Sequence, residues 1–426
     1  MKILFLGVQF EPEVTGAAPL NTDLCRYLQD QGHDVTAVVG FPSYPQWEVY
    51  EGYRGRWYAE EDHGGVRVLR VWQYVPRTPT AVRRILFDTT VAVTSVLAAL
   101  RTRRPDVILA VSTPLQMGLS AAVLGTLWRR PFVFHLQDLL PESATEVGMV
   151  NNRRVVGLIH RLADAIYSRA ARVSTIGHGI LDALRRRGVP EEKLAYLPNW
   201  VDLDRFPVAS DEQGRAWRAR HGIGADQFVV MYIGSFGFKQ DMVTVVRAAA
   251  HLTDRPDVQV VLVGDGADHP RVREVAADLD LPNLRLLPVQ PSGDLPAMSA
   301  AADVFVLHQK REVVDMVVPS KLLTYGAAGK PIVLAGHPDS QGARLVSEAD
   351  AGPVVEPESP RALAEAIGAL HDDPAARRRC GANARRFVAA NFDRSQVLPQ
   401  LAEVVTGAAG AAPPRACPLA GNQAAV

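Results

Sequence analysis

Four stretches of the sequence place glycines, cations and polar side chains where an apolar run gives way to a polar loop. The richest is residues 307–325, LHQKREVVDMVVPSKLLTY. There Gln309, Lys310, Arg311 and Asp315 follow a strand-like run, and Pro319 stands where proline opens a helix, just before Ser320 and Lys321. Amides, a hydroxyl and ammonium groups converging on a helix start suit phosphate oxygens and sugar hydroxyls. Residues 232–241, YIGSFGFKQD, repeat the arrangement, with Ser235 in a glycine-rich loop and Lys239 beside the next helix start. Backbone amides, the helix dipole and one ammonium together make a phosphate site; the competing reading is a surface lysine on an ordinary loop. Residues 134–138 end an apolar run in His135, Gln137 and Asp138, at the end of a strand that would face a ligand crevice. A histidine packed in the core is the alternative. Residues 11–19 put Gly16 between a strand and a helix, where a glycine lets backbone approach a ligand or merely permits a turn. Gly7 lacks the two further glycines of G-x-G-x-x-G, so Rossmann-type dinucleotide binding is disfavoured, and no Walker pattern is present. Only six of the 46 cationic residues are lysine, and four of those six fall between 239 and 330. A lysine that survives such an arginine bias is a candidate for work that arginine cannot do.

These loops must be positioned by alternating strands and helices. Apolar runs at 2–8, 35–39, 66–71, 107–111, 132–136 and 172–174 are separated by helical patterns and bounded by turn residues. Strands that are apolar throughout indicate a parallel sheet covered on both faces. The alternation breaks near 197–200, and residues 202–224 are polar and turn-rich. It then resumes with strands at 228–233, 258–263, 284–287, 304–307, 331–334 and 353–355, and helices from Met242, Pro270, Leu295, Ser320, Ser340 and Arg361. Two α/β domains follow: 1–200 and 201–390, with a helix over 391–405 and an Ala/Gly/Pro-rich tail, 406–426, expected to be disordered.

Forty-six Lys+Arg balance 46 Asp+Glu, which argues against nucleic acid as a partner. The three cysteines, Cys25, Cys380 and Cys417, have no metal-ligand spacing and fit a reducing compartment. The amino-terminal run lacks the features of a secretory signal, so the protein is expected to be cytoplasmic. Residues 85–100 are apolar and flanked by Arg83, Arg84, Arg101, Arg103 and Arg104, yet fall short of the ~20 residues that span a bilayer. They read as a helix packed on the sheet or as one touching the inner face of an anionic membrane.

Taken together, EPEVTG, GFPSYPQW at 40–47, FHLQD, LPNWVDLDRF at 197–206, GSFGFKQ, LVGDG at 262–266, AADVFVLHQK, VPSKLLTYGAAGKPIV and VEPES at 355–359 resemble the retaining glycosyltransferases of GT-B fold, family 4. The resemblance runs from residue 1 to about 405 and is strongest to the colanic-acid and O-antigen, fucosamine-transferase-like subgroup. It implies two Rossmann-like domains facing across a cleft, the first holding the acceptor and the second a nucleotide-sugar. The final helix would cross back to the first domain. It implies that donor phosphates are held by Lys239, Gly16, Ser235 and the helix start at Pro319, Ser320 and Lys321, where Ser320 and Lys321 offer amides, and that backbone near Val289 and Gln290 reads the base. His135 would lie near the donor sugar, and His135, Asp138 and Lys239 are assigned to catalysis. Tyr44 and Trp47 would border the acceptor. No metal or other cofactor is implied, and a D-x-D signature is absent at any plausible strand end.

The sequence departs from the wider family in two places. Met316 and Thr324 stand where the E-x7-E glutamates would align, and an arginine that commonly precedes the phosphate lysine is replaced near Ser235. Asp315 and Gln309 are the substitutes that present themselves. The expected activity is transfer from a nucleotide-sugar, a UDP-linked acetamido or deoxy sugar, to a saccharide, a polyprenyl-diphosphate-linked saccharide or a secondary metabolite. A sugar-nucleotide epimerase and a degenerate binding subunit are the alternatives.

Overall fold

The computed structural model describes residues 1–14, 16–78, 80–139, 153–204, 211–313 and 318–410. The chain divides into two compact units. One comprises Met1–Leu197 and is rejoined by the chain from Leu398 onward; the other is Pro198–Val397.

The first unit is built on β1 (Lys2–Leu6), β2 (Asp34–Gly40), β3 (Tyr58–His63), β4 (Val66–Val71), β5 (Val107–Ser112), β6 (Phe132–Leu136), β7 (Arg172–Thr175) and β8 (Leu194–Tyr196). They form one sheet in the order β3-β4-β2-β1-β5-β6-β7-β8. Every pairing is parallel except β3 with β4. Helices α1 (Ala18–Asp30), α2 (Ala81–Ala99), α3 (Gln116–Trp128), α4 (Arg153–Arg169) and α5 (His178–Arg186) make the crossovers. Ile3, Leu4, Phe5 and Leu6 of β1 and Val107–Ala110 of β5 are buried, because helices cover both sides of the sheet centre. β3 lies outside the apolar pattern: as an antiparallel edge strand of sequence YAEEDH, it buries only Ala59.

The second unit contains β9 (Phe228–Ile233), β10 (Val258–Val263), β11 (Leu284–Leu287), β12 (Val304–His308), β13 (Ile332–Ala335) and β14 (Val354–Val355), all parallel, in the order β11-β10-β9-β12-β13-β14. Its helices are α6 (Asp211–Arg220), α7 (Met242–Ala250), α8 (His269–Leu279), α9 (Leu295–Ala301), α10 (Ser320–Ala327), α11 (Gln341–Glu348), α12 (Pro360–Asp372) and α13 (Pro374–Asn391). The stretch 202–224, polar in sequence, nevertheless carries α6, because Trp217 anchors it in the core with no exposure. Opposite Gly214 the backbone of Ala300 lies so close that any Cβ there would meet it at 2.8 Å.

The last helix, α14 (Arg394–Ala409), runs past the expected end at 405. Residues 406–409, expected to be unstructured, extend it because Val405 and Ala408 are buried. The rest of that tail, from residue 411, lies outside the described residues.

Candidate functional site

In the second unit the carboxyl ends of β10, β9, β12 and β14 carry four loops, around 264–268, 234–241, 308–311 and 356–359. Three glycines bring the first two together. Gly234, Gly264 and Gly266 have φ of 149°, 153° and 157°, which side chains rarely adopt. A Cβ on Gly264 would lie 1.9 Å from the Gly234 carbonyl oxygen, and one on Gly266 would collide with the Phe236 backbone. The amide of Phe236 donates to Asp265 O at 2.8 Å and that of Asp268 to Phe236 O at 2.9 Å.

Gly234 also makes room for Lys321. A Cβ there would stand 2.1 Å from Lys321 Cε, so the lysine stem runs across bare backbone. The ammonium sits 5.5 Å from the centre of the Tyr232 ring. Burial lowers its pKa from the ordinary lysine value. Among the described residues no carboxylate approaches Lys321 within the 4.0 Å of an ion pair. Lys321 is the second residue of α10, whose amino end has no side-chain cap. The first turn of an uncapped helix thus sends a desolvated cation to the glycine loop, a combination suited to anion binding.

Tyr325, one turn further along α10, fixes that placement. The β9–β12 ladder ends at Phe305↔Met231. Beyond it the Ile233 amide donates to the Tyr325 hydroxyl at 2.9 Å, and the hydroxyl donates back to Ile233 O at 3.0 Å. The Tyr325 ring stacks on Phe305 with centroids 3.9 Å apart and planes at 4°. The Tyr232 hydroxyl donates to Ser235 O at 2.6 Å, which sets the start of the glycine loop.

Lys239 is half-buried in that loop, and its carbonyl accepts from the Lys310 amide at 2.9 Å. His308 joins three loops: Nδ1 donates to Gln240 O at 2.9 Å, and Nε2 accepts from the Glu358 amide at 3.0 Å. These partners require the neutral ring, and burial lowers its pKa. No local signal in the sequence assigns His308 a role, because its partners, Gln240 and Glu358, lie 68 and 50 residues away in the chain.

The structure places Gln309 in the core and bonds its amide to Ala335 O at 2.8 Å. Arg311 is turned to solvent and paired with Glu356 at 2.7 Å, so its charge is already compensated. Ser235, Ser320 and Val289 are exposed, Pro319 is half-buried, and Gln290 folds onto Pro288 O at 2.9 Å. The 288–290 segment follows β11, at the same edge of the sheet two strands from β9. Asp315 lies outside the described residues.

In the first unit, Gly16 has φ of 67°, and the Gln9 side chain lies beneath it, accepting from the Ala17 amide at 2.9 Å. Glu13, buried, accepts from the amides of Ser43 and Tyr44, each at 2.8 Å, and so ties this loop to the aromatic one. Trp47 packs edge-on against Tyr44, at 6.2 Å between ring centres, and against Phe87 of α2 at 5.5 Å, with the Arg84 guanidinium 4.9 Å from its ring.

His135 is 2% exposed, with Nδ1 3.0 Å from Ser174 Oγ and Nε2 3.0 Å from Gln137 Nε2. The Gln137 amide is a donor, so Nε2 accepts and the Nδ1 proton points to Ser174. Burial pushes the His135 pKa down to about 4. The ring is thus a neutral, oriented hydrogen-bonding group. Asp138 Oδ1 accepts from the Leu139 amide at 2.9 Å. Arg70, which nothing in the sequence singled out, is fully buried, with Nε 2.7 Å from Glu61 and a further bond to Glu11 O.

Two predictions follow from the hydrogen bonds of the second unit. Tyr325→Phe strands two part-buried backbone groups of Ile233 and should cost about 1–3 kcal/mol in urea unfolding. A loss within experimental error would remove the hydroxyl from the account. For His308, a folded pKa below the unfolded one means the stability it lends is present above pH ~6.5 and is lost as the ring protonates in acid. The melting-temperature advantage of the wild type over His308→Gln should therefore shrink as pH falls from about 7 to 5. A constant difference across that range would mean the ring does not titrate there.

Comparison with known proteins gives the family and the fold. Residues 15–200 match the family described as glycosyl transferase 4-like domain, and residues 214–387 match glycosyl transferases group 1. WcaI of Escherichia coli, assigned as a colanic acid biosynthesis glycosyl transferase, is 30% identical over 415 residues, covering 96% of this chain and all of that protein. The alpha-D-kanosaminyltransferase of Streptomyces kanamyceticus is 29% identical over 243 residues, 55% of this chain and 60% of that one. Among solved structures, Anabaena Alr3699/HepE in complex with UDP-glucose superposes with a TM-score of 0.71 at 21% identity, over 96% of this chain and all of that one. That likeness is one of fold. With both halves matched and the whole of WcaI covered, the chain belongs to the group 1 glycosyltransferases of GT-B fold, colanic-acid type.

Proposed function

We propose that the chain moves a sugar from a UDP-sugar, of acetamido or deoxy type, to a saccharide, a polyprenyl-diphosphate-linked saccharide or a secondary metabolite. Transfer retains the anomeric configuration, needs no metal ion and takes place in the cytoplasm or at the inner face of the membrane. The observation that carries this reading is the Lys321 ammonium, which has no carboxylate partner among the described residues and lies in the first turn of the uncapped α10, against the bare backbone of Gly234.

A diphosphate leaving group brings charge that those groups are arranged to meet. As the glycosidic bond breaks, negative charge builds on the phosphate oxygen that leaves. Cations and amides already in place stabilise it at no cost of reorganisation. Lys321 and the α10 amides act on one side of the glycine loop, and Lys239 acts from within that loop. In a retaining transfer the acceptor hydroxyl attacks from the face the diphosphate leaves, and the departing phosphate oxygen takes its proton. No protein nucleophile is required. His135, neutral and held at both nitrogens, serves as a positioning hydrogen-bond group for the sugar in this reading, and Asp138 lies next to it.

UDP is preferred over GDP because a relative in fold, HepE, binds UDP-glucose. The kanosaminyltransferase relative favours an amino- or deoxy-sugar and widens the acceptors to secondary metabolites.

The test is thermal unfolding with UDP, GDP, ADP and NAD, with and without EDTA. UDP at about 100-fold its Kd should add about 2.7 kcal/mol, unchanged by EDTA, whereas NAD should add nothing. Loss of the shift in EDTA would contradict metal independence, and a larger shift with GDP would change the donor. Once an acceptor is found, the product's anomeric coupling constant should match that of the donor; an inverted product would remove the retaining assignment. UDP binding with no turnover across saccharide, lipid-linked and small-molecule acceptors would instead favour a degenerate binding subunit.

A further inference from the structure

Half of the large apolar side chains left exposed among the described residues, nine of eighteen, sit on two neighbouring helices of the first unit. On α2 and its carboxyl cap they are Val82, Ile85, Leu86, Val93, Leu97 and Leu100; on α3 they are Leu119, Val123 and Leu127. The three on α3 recur every fourth residue. On α2, Val82, Leu86, Val93, Leu97 and Leu100 are spaced by four, seven, four and three residues with Ile85 beside them, so each set lies along one stripe. Only three other residues of these helices are exposed: Arg83, Thr89 and Thr126. α3 carries no charge at all, and α2 carries Arg83 and Arg84 in its first turn, Asp88, and no charge after that. A helix face turned to water ordinarily carries charges along its length; here the exposed charge on the two helices is Arg83 at one end, and the apolar face beyond it calls for a cover.

The two helices lie side by side. Ser120 Oγ on α3 donates to Ala92 O on α2 at 3.0 Å. Each follows a strand of the same parallel sheet, so they run in the same direction and end together. At that shared end stand Arg101, Arg103, Arg104 and Arg129, all exposed and in no ion pair with a described residue. Arg130 beside them lies 3.9 Å from Asp106. The surface is therefore an apolar double stripe with a basic rim.

We infer that the α2/α3 face docks on an anionic phospholipid bilayer, the apolar stripes entering the interface and the arginines meeting lipid phosphates. The rim is what chooses this occupant. A second copy of the chain would bring its own arginines to the contact, whereas an anionic surface is complementary to them. The inference deepens the membrane-face reading of the proposed function by giving it a surface, and it does not depend on which nucleotide binds.

Sedimentation of the full chain with phosphatidylcholine vesicles, with and without phosphatidylglycerol, tests it. Binding should require phosphatidylglycerol and weaken with added salt. Reversing Arg101, Arg103 and Arg104 to Glu should lower vesicle affinity by on the order of a hundredfold, at roughly tenfold or less per arginine. Leu97→Glu with Val123→Glu should abolish binding. Both variants change exposed positions, so their melting temperatures and UDP-induced shifts should match the wild type, which keeps failure here separate from failure of the donor assignment. No binding to anionic vesicles, or binding that ignores both variants, would overturn the inference. So would a dimer seen by analytical ultracentrifugation that Leu97→Glu splits while vesicles stay unbound.

Discussion

The second unit turns on one hydroxyl. A parallel sheet whose strands diverge leaves backbone groups without ladder partners, and at Ile233 both the amide and the carbonyl are satisfied by Tyr325. This single contact ties α10 to the carboxyl end of β9, although the two are 92 residues apart in sequence. With α10 fixed there, Lys321 has one path, across Gly234, and only glycine leaves that path open. The burial that depresses the lysine pKa follows from the same placement. A desolvated ammonium with no counter-charge among the described residues is costly in isolation, and a diphosphate would relieve that cost. The destabilising feature of the free protein is thus the binding feature of the loaded one.

The first unit follows a different rule. Its conspicuous polar groups are already satisfied by the protein: His135 between Ser174 and Gln137, Glu13 on two amides, and Arg70 on Glu61 and carbonyls. Such groups fix loop shapes, and fully bonded buried networks hold a single conformation. What this unit leaves uncovered is an apolar face along α2 and α3 with arginines at its end. One unit thus presents a buried cation beside a glycine loop, and the other an apolar face with a basic end.

Much of this was legible in the sequence, for physical reasons. Strands buried on both faces show as unbroken apolar runs, and ligand loops follow them, so β9 and β12 and the polar segments after them could be located. Pro319 marked the start of α10, and the scarcity of lysine drew notice to Lys239, Lys310 and Lys321. Other features left no local trace. β3 was missed because an edge strand that buries one residue has no apolar period, and α6 because one tryptophan, not a stripe, holds it. The Lys321–Gly234 crossing and the Tyr325–Ile233 bonds join residues far apart in the chain, which composition and spacing cannot reveal. Arg311 read as a phosphate ligand from its place beside Lys310, but the carboxylate that compensates it lies 45 residues away.

The central claim is that Lys321 meets the diphosphate and not the nucleoside. Calorimetric titration of UDP and UMP into the wild type and Lys321→Ala, in EDTA, tests it most directly. Removing a charge-assisted contact should weaken UDP by about 1.5–3 kcal/mol and bring its affinity close to that of UMP. Equal weakening of both nucleotides, or no weakening of UDP, would contradict the account.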